Sequence, residues 1–364
     1  MRSASCGAGA PIIMSTSAEP PFLPFLIDPQ QRVINYLRVS ITDRCNYACR
    51  YCIPDNGVEH VERADVLSFE EITALVRVFV TLGVRRVRLT GGEPTVRRDL
   101  VRLVGMLREI PALEEIALST NGHLLTELAA PLRAAGVDRL NVSLDSLDPE
   151  HFRRITRRGD LGRVIAGIEA ARAAGFASIK LNVVALRGGN DDEFDRICAW
   201  AWERGLLPRF IEEMPMADGR TYHPDAQMPA AEIRRRIAAA WPGTRVVADD
   251  VRDGAGAGPA RYFRLEPEAP DGDAPPSPRR FGIISPMTEH FCTTCNRLRL
   301  STAGALHACL AHDDAVDLRG PLRTGGPEAV AHGIRAALAA KRPGHTFQLI
   351  GLGGPRKAMV QIGG

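Results

Sequence analysis

Residues 37–54 read LRVSITDRCNYACRYCIP, and this stretch decides the fold of the chain. Its first six residues alternate apolar and polar side chains, which is typical of a strand with one buried face. The strand runs directly into three cysteines, Cys45, Cys49 and Cys52, with the spacing C-x3-C-x2-C. A loop this short can hold three thiolates on one side of a small metal centre and leave its fourth corner without a protein ligand. The stretch therefore predicts a metal site immediately after the first strand of a sheet.

Two kinds of metal centre are compatible with this cysteine loop. A structural zinc site takes four Cys or His ligands, usually in paired spacing. The nearest further candidate, His60, lies in a polar, charge-rich loop. An iron–sulfur cluster with one open iron suits an odd number of soft thiolates better. The spacing favours the cluster and leaves zinc as the alternative.

Length and composition set the class of protein. The chain has 364 residues, which predicts two domains. Hydrophobic residues make up 45% and charged residues 24%, as in a soluble globular protein, and the net charge of +3 is too small to indicate a nucleic-acid or membrane partner. No apolar run reaches the roughly 18 residues of a membrane-spanning helix. Residues 1–34 carry no secretory signal and are expected to be a leader with a disordered start, with Met14 as an alternative start, so a cytoplasmic location is expected.

The eight cysteines fall mainly into two groups of three, one early and one late in the chain. Without a secretory signal, this grouping favours metal ligation over disulfides. Cys198 lies in a helical pattern and is expected to be a small buried apolar residue. Cys6 lies in the leader and carries no prediction.

Strand and helix patterns alternate between residues 37 and 216. Strands are predicted at residues 37–42, 85–90, 115–120, 139–145, 178–186 and 208–214. Helices are predicted at residues 68–82, 98–109, 123–135, 149–173 and 191–205. This alternation indicates a parallel sheet with right-handed crossovers. An open doubly wound sheet and an incomplete (β/α)6 barrel share the pattern, and in both the ligands gather at the carboxyl ends of the strands.

The character of the sequence changes after residue 216. A helix is predicted at 230–240, strands at 262–265 and 281–284, a hairpin at 298–308, and a last helix at 327–340. Residues 249–280 include Gly- and Pro-rich stretches that are expected to form loose connections. These elements indicate a second, smaller domain of mixed type.

Further motifs follow the predicted strands. Thr90-Gly91-Gly92-Glu93-Pro94 ends the second strand, and adjacent glycines let a ligand approach the backbone closely. Ser143 and Met214 end two later strands. Each of these features alone is also compatible with ordinary sheet structure.

The second cysteine group, Cys292, Cys295 and Cys309, has the spacing C-x2-C-x13-C. A zinc ribbon completed by one of three nearby histidines is the alternative to a cluster; the candidates are His290, His307 and His312. Arg297 and Arg299 alternate on the following strand and therefore project from one face. Two guanidiniums beside a metal site suit a polyanion such as a triphosphate, although a solvated strand face is also compatible.

Together these motifs resemble a known family. The loop C-x3-C-x2-C with Tyr51 before its last cysteine resembles the radical S-adenosylmethionine superfamily. The addition of GGEP, C-x2-C-x13-C, R-x-R and the terminal Ile362-Gly363-Gly364 resembles the GTP 3′,8-cyclase family of molybdenum cofactor biosynthesis. The resemblance covers residues 35–364. It implies an α/β fold, a partial (β/α)6 radical SAM barrel over residues 35–216 with a smaller C-terminal α+β iron–sulfur cluster domain over 217–364.

The resemblance also implies roles for individual residues. The two cysteine groups would each ligate a [4Fe–4S] cluster, the first binding S-adenosylmethionine and the second holding the guanine of GTP. The positions that match S-adenosylmethionine contacts are Tyr51, Gly92, Ser143 and Met214. The positions that match GTP contacts are Arg38, Arg88, Ser119, Lys180, Arg297, Leu298 and Arg299. The positions matched to catalysis are Arg38, Arg88, Gly363 and Gly364. Ser119 departs from the usual threonine but keeps the hydroxyl.

The implied activity is conversion of GTP to 3′,8-cyclo-7,8-dihydro-GTP. The implied partners are the cyclic pyranopterin monophosphate synthase downstream and an electron donor such as flavodoxin or ferredoxin; a homodimer is left open. Two alternatives remain, another two-cluster radical enzyme acting on a peptide and an iron–sulfur electron carrier. The apolar residues before the double glycine could anchor a strand, with the glycines reaching the active site.

Overall fold

The computed structural model describes residues 25–249, 258–268 and 278–363. The start of the expected leader with Cys6, most of the 249–280 connection and Gly364 lie outside the described residues. Within the described residues no helix is long and apolar enough to cross a membrane.

The described chain contains fourteen strands and nine α-helices. The strands are β1 Leu26–Ile27, β2 Val33–Ile34, β3 Tyr36–Ser40, β4 Arg86–Thr90, β5 Glu115–Thr120, β6 Arg139–Ser143, β7 Ile179–Ala185, β8 Leu207–Glu212, β9 Thr244–Ala248, β10 Arg261–Pro267, β11 Arg280–Ile284, β12 Arg297–Leu300, β13 Ala305–His307 and β14 Val316–Asp317. The helices are α1 Phe69–Thr81, α2 Leu100–Arg108, α3 Leu125–Ala135, α4 Pro149–Thr156, α5 Leu161–Ala173, α6 Phe194–Glu203, α7 Ala230–Ala239, α8 Arg319–Ala339 and α9 Met359–Ile362.

One mostly parallel sheet organises the molecule. Strands β3 to β8 lie side by side in chain order, each parallel to the next, with the helices between them. β12 adds parallel to β3, and β11 adds parallel to β8. The strand order is β14-β13-β12-β3-β4-β5-β6-β7-β8-β11-β10-β9. The sheet is therefore open, with β14 and β9 as its edge strands. The predicted α/β class with a partial barrel of six parallel strands is confirmed.

Strands from the C-terminal part thus extend the sheet at both edges. The predicted domain division at residue 216 stays a prediction, because the hydrogen-bonded sheet runs across it. This extension matters for the site, because the pairing of β12 with β3 places the second cysteine group beside β3.

The first helix shows how local sequence determines an element. Ser68 accepts a hydrogen bond from the Glu71 amide and Glu71 returns one to the Ser68 amide, which forms the predicted capping box. Ile72, Leu75 and Phe79 then face the core and are fully buried. The predicted helix boundaries differ from the structure by only one residue at each end.

The helix predicted at 149–173 is wrong as a single element. It is two helices, α4 and α5, because Arg157 adopts a left-handed φ of 61° and ends the first. Asp160 then accepts a hydrogen bond from the Arg163 amide and caps the second. A cap residue in the middle of a long helical pattern was the available signal.

The C-terminal elements differ from prediction at three places. β9 was not predicted, and it pairs antiparallel with β10. The last predicted helix begins earlier, at Arg319, with a kink where Gly326 has φ 67° before Pro327. The tail forms the short helix α9 rather than a strand, because Gln361 accepts the Ala358 amide at 2.9 Å and Gly363 ends the turn with φ 73°.

Candidate active site

A cavity of about 370 Å³ opens among the sheet strands and the two cysteine groups. Nearly all of the predicted site residues line it: Arg38, Cys45, Cys49, Tyr51, Cys52, Arg88, Gly92, Ser119, Ser143, Lys180, Met214, Cys292, Cys295, Arg297, Arg299 and Cys309. Leu298 and Gly363 are the exceptions among the described residues; the Leu298 side chain is 1% exposed and packs in the hydrophobic core. On β12 the two flanking arginines face the cavity, so alternation along the strand turns Leu298 away from it.

The first cysteine loop is held in place by backbone hydrogen bonds. The Ala48 amide donates to the Thr156 carbonyl at 3.2 Å, and the Arg50 amide donates to the Ile155 carbonyl at 3.0 Å. The Cys52 amide closes a turn onto the Cys49 carbonyl at 2.9 Å. The end of α4 therefore supports the loop, and this support was not visible in the sequence.

The spacing of the thiols distinguishes the two metal centres left open above. In the described residues, no three Cys, His, Asp or Glu ligand atoms that include a cysteine lie within 4.8 Å of one another. A tetrahedral zinc ion with Zn–S bonds near 2.3 Å would hold its sulfurs about 3.8 Å apart. Neither cysteine group therefore forms a compact tetrahedral zinc set among the described residues, and this favours the cluster over zinc. The cysteines are all free thiols in the described chain.

Cys295 differs electrostatically from the thiols of the first group. Burial raises the pKa of Cys45 and of Cys52 to about 12, and burial raises that of Cys49 well above its usual value. Burial would also raise the pKa of Cys295, but Arg297 and Lys341 outweigh it and lower the value to about 7. The thiols of the first group therefore stay protonated until a cationic metal centre binds and displaces their protons.

The histidines near the second group are engaged elsewhere or lie apart. His290 contacts the Pro286 carbonyl through Nδ1 at 2.8 Å, and His312 contacts the Gly344 carbonyl through Nε2 at 3.1 Å. His307 is fully buried. None of them groups with the cysteines as a compact ligand set among the described residues.

The glycines of the GGEP turn make a close backbone contact that the sequence did not predict. A Cβ on Gly91 would lie 2.2 Å from the Thr42 carbonyl oxygen, and one on Gly92 would lie 2.3 Å from that of Arg44. The Gly92 amide donates to the Thr42 carbonyl at 2.7 Å. The glycines therefore let this turn pack on the backbone just before the cysteine loop. Gly92 also lines the cavity, so its role toward a ligand stays a prediction.

Glu93 in the same turn is a residue whose role the sequence did not reveal. Its carboxylate is 2% exposed and accepts hydrogen bonds from Thr95 and Thr120 and from the Asn121 amide. Burial raises its pKa despite these bonds. This carboxylate ties the end of β4 to the end of β5 beneath the cavity.

A second missed carboxylate lies beside the first cysteine loop. The Tyr51 hydroxyl donates to Asp145 Oδ2 at 2.7 Å, and the Val184 amide donates to Oδ1 at 2.8 Å. Burial raises the pKa of Asp145 to about 6. Asp145 thus orients Tyr51 at the cavity wall; it follows Ser143 in NVSLD, but only the tertiary contact reveals its role.

Three arginines lie in one row across the sheet. Arg299 on β12 is the register partner of Arg38 on β3, and Arg38 is the partner of Arg88 on β4. Neighbouring strands lie about 4.8 Å apart, so these positive side chains are close to each other. Burial and then Arg299 lower the pKa of Arg38 well below its usual value, and burial followed by Arg297 lowers that of Arg299 to about 10. A row of guanidiniums at this spacing is suited to binding a polyanion.

Other polar groups surround this row. Arg88 donates to the Tyr36 hydroxyl and to Ser119 Oγ. Lys180 Nζ donates to the Tyr262 hydroxyl at 3.3 Å. Arg209, which was missed, is 5% exposed and lines the cavity, and its Nε has no hydrogen-bond partner among the described residues. The sequence predicts that Arg209 lies in a strand, but it does not show which face of the sheet the side chain occupies.

The tail reaches the arginine row. The Gly363 carbonyl accepts hydrogen bonds from Arg299 at 2.6 Å and from Arg38 at 3.4 Å. A Cβ on Gly363 would lie 3.1 Å from Ser40 Cβ and 3.2 Å from Thr90 Cγ2. Val360 in α9 packs against Cys52 in the first cysteine loop. Gly364 lies outside the described residues, so its role stays a prediction.

The fold and the two cysteine groups define a radical S-adenosylmethionine enzyme. The family model of the Radical SAM superfamily matches residues 39–201, and that of Molybdenum Cofactor Synthesis C matches residues 208–347. The chain belongs to the GTP 3′,8-cyclase family. A GTP 3′,8-cyclase of Rhodopseudomonas palustris is 45% identical over 326 residues, 88% of this chain and 90% of the relative. One of Moorella thermoacetica is 46% identical over 341 residues, 93% of this chain and 99% of the relative.

A crystal structure of a Streptococcus suis protein, SuiB, bound to S-adenosylmethionine matches 58% of this chain and 48% of its own. The TM-score is 0.49 and the identity 16%, so no functional conclusion follows from this likeness. The family membership above replaces the two alternatives considered from the sequence, a peptide-modifying enzyme and an electron carrier.

Proposed function

We propose that this chain converts GTP to 3′,8-cyclo-7,8-dihydro-GTP, the first step of molybdenum cofactor biosynthesis, using S-adenosylmethionine and two [4Fe–4S] clusters. One observation carries the proposal: a single cavity is lined by both cysteine triads and by a row of three arginines, of which Arg88 is buried and Arg38 and Arg299 are half-buried. When bound, the first cluster and S-adenosylmethionine supply a carbon-centred radical that can remove a hydrogen atom from the substrate. The chain itself binds, orients and encloses the reactants.

At the first triad, the chain holds the cosubstrate. Cys45, Cys49 and Cys52 would ligate three irons of the cluster and leave one for S-adenosylmethionine. Tyr51 is oriented by its bond to Asp145, and Gly92, Ser143 and Met214 line the cavity beside it. We assign these residues to cosubstrate binding.

At the second triad, the chain holds the nucleotide. Cys292, Cys295 and Cys309 would leave one iron open to the guanine. Lys341 Nζ donates to the Arg297 carbonyl at 3.2 Å and fixes this segment near the cysteines. The second triad would thus bind the guanine end of the substrate, and the arginine row would bind its triphosphate end.

The arginine row would bind the triphosphate. Arg38, Arg88 and Arg299 stand side by side, and Arg297 faces the same cavity. A triphosphate would bring complementary negative charge to these guanidiniums, and guanidinium–phosphate pairs are among the stronger hydrogen bonds. Ser119 and Lys180 complete the polar wall, whereas Leu298 contributes packing through its side chain.

Gly363 would close the site from the tail side. Its carbonyl already bonds Arg38 and Arg299, so the tail sets the direction of the two guanidiniums. A glycine is favoured because φ is 73° and a Cβ would lie only 3.1 Å from Ser40 Cβ and 3.2 Å from Thr90 Cγ2.

The finer partners are also proposals. The product would pass to the cyclic pyranopterin monophosphate synthase, and flavodoxin or ferredoxin would supply the electron. The homodimer and the cytoplasmic location stay predictions.

The test is anaerobic incubation of the reconstituted protein with GTP, S-adenosylmethionine and dithionite, followed by mass analysis. We expect 5′-deoxyadenosine and a cyclised nucleotide, and about eight irons per chain from two [4Fe–4S] clusters. One bound zinc without sulfide, or cleavage of S-adenosylmethionine with GTP left unchanged, would contradict the proposal.

A further inference from the structure

The mechanism above leaves one strongly basic segment unused. Residues 149–163 carry five arginines, Arg153, Arg154, Arg157, Arg158 and Arg163, against two carboxylates, Glu150 and Asp160. Most of a protein surface mixes the two signs of charge. Asp160 is already engaged as the cap of α5. Such a concentration of positive charge is unusual for a protein surface and makes this segment a candidate binding site.

This basic segment lies directly against the first cysteine loop. The carbonyls of Ile155 and Thr156 accept hydrogen bonds from amides inside the first cysteine loop. Arg157 donates to the Ile53 carbonyl at 3.0 Å and also bonds Asp55, so it fastens the far end of the loop to α4. The basic segment is therefore the outer support of the first triad.

Three further arginines of the segment, all near the end of α4, point outward. Arg153, Arg154 and Arg158 are exposed, while Phe152 and Ile155 on the same helix are buried in the protein. No ion pair joins these three arginines, or the half-buried Arg50 of the loop, to a carboxylate in residues 25–249, 258–268 and 278–363. Arg50 acts at longer range on Glu213 and Arg158 on Cys45, whereas the charge of Arg153 and Arg154 faces a partner from outside.

We infer that Arg50, Arg153, Arg154 and Arg158 form the docking surface for an acidic one-electron carrier protein. The inference rests on the proposed function, because that function requires one electron to reach the first triad from outside. The carrier, a reduced flavin or iron–sulfur protein, loses one electron and the centre at the triad gains it; no atom is transferred. Charge complementarity favours rapid and weak association, which is what a carrier that must leave again requires.

The test measures binding of oxidised flavodoxin, an acidic carrier, by calorimetry at low and high salt. Arg153→Glu/Arg154→Glu reverses two exposed charges of the surface. Arg235→Glu/Arg245→Glu is the matched control, since these side chains are 70% and 64% exposed on α7 and β9, away from the cysteine loop in the sheet order. We expect about tenfold weaker binding for the first double variant and less than about twofold for the control, with the difference lost at high salt.

A second readout separates this inference from the proposed function. Cleavage of S-adenosylmethionine driven by dithionite should be unchanged in both double variants, whereas cleavage driven by reduced flavodoxin should fall about tenfold in the first alone. If dithionite-driven cleavage fails in the wild-type protein, the proposed function fails, while the binding experiment still tests the surface.

Three results would overturn the inference. One is equal binding of flavodoxin by the two double variants, and another is no binding by the wild type of either flavodoxin or an acidic ferredoxin. The third is binding of a DNA fragment that the first variant loses while flavodoxin is ignored. Should the Glu variant not fold, Arg153→Gln/Arg154→Gln must show a weakening of the same direction, and its absence would count equally against the surface.

Discussion

Gly363→Ala tests whether the tail acts inside the cavity. At φ 73° an alanine costs about 1–2 kcal/mol. Its Cβ would press on Ser40 Cβ at 3.1 Å and Thr90 Cγ2 at 3.2 Å, and overpacking costs about 1–3 kcal/mol. The sum, about 2–5 kcal/mol, disfavours the inserted tail relative to a displaced one. Even 2 kcal/mol is about a thirtyfold loss of the inserted state.

The assay follows two products of one anaerobic reaction. We expect formation of the cyclised nucleotide to fall about thirtyfold or more, because Arg38 and Arg299 lose the carbonyl that orients them. 5′-Deoxyadenosine should still form, because the first cysteine loop is held chiefly by hydrogen bonds to the end of α4 and to Arg157. Gly205→Ala is the matched control: φ is 68° there and a Cβ would meet nothing within 4 Å, so it shares the strain but not the contact. Wild-type cyclisation by Gly363→Ala, or equal loss in the control, would refute the reasoning.

Three further outcomes are expected. Arg299→Ala should weaken binding of GTP about ten- to a hundredfold but leave guanosine nearly unchanged, since a charged hydrogen bond is worth roughly 1.5–3 kcal/mol; equal losses in a calorimetric titration would indicate misfolding. Serine at Cys292, Cys295 and Cys309 should halve the iron content and abolish GTP turnover while S-adenosylmethionine cleavage continues; loss of both activities with the first cluster intact would contradict separate roles. Asp145→Asn should raise the melting temperature at about pH 8 but not at about pH 4, because a carboxyl whose pKa is raised to about 6 stabilises the fold when protonated and loses that contribution as the pH rises through 6. The gain is at most about 3 kcal/mol, and a gain independent of pH would refute this assignment.

Local signals explain why the order of elements could be predicted. The capping box at Ser68, the alternation in residues 37–42 and the glycine ends of helices each act within a few residues. The cysteine spacings act in the same way, since each pair is joined by a short loop. These features depend only on residues that are close together in the chain, so a single sequence is enough to predict them.

The features that failed depend on contacts between distant segments. Asp145 follows the end of β6 and Arg209 lies within β8, and only the packing of the barrel turns them toward the cavity. The GGEP glycines were correctly placed, but the backbone that approaches them belongs to residues 42–44, which the sequence does not show. The tail became a helix because a side-chain cap from Gln361 competes with the extended form that its apolar residues favoured.

The arginine row is the clearest case of information held by register rather than by sequence. Arg299 and Arg38 are separated by most of the chain, yet the pairing of β12 with β3 puts them side by side. A shift of one residue would turn Arg299 into the core and Leu298 into the cavity. Like charges on neighbouring strands destabilise a sheet, so the pairing is retained against an electrostatic cost. That cost is lowest when a polyanion fills the cavity, and the same contacts that bind the triphosphate therefore stabilise the joint between the first strand and the segment that carries the second cysteine group.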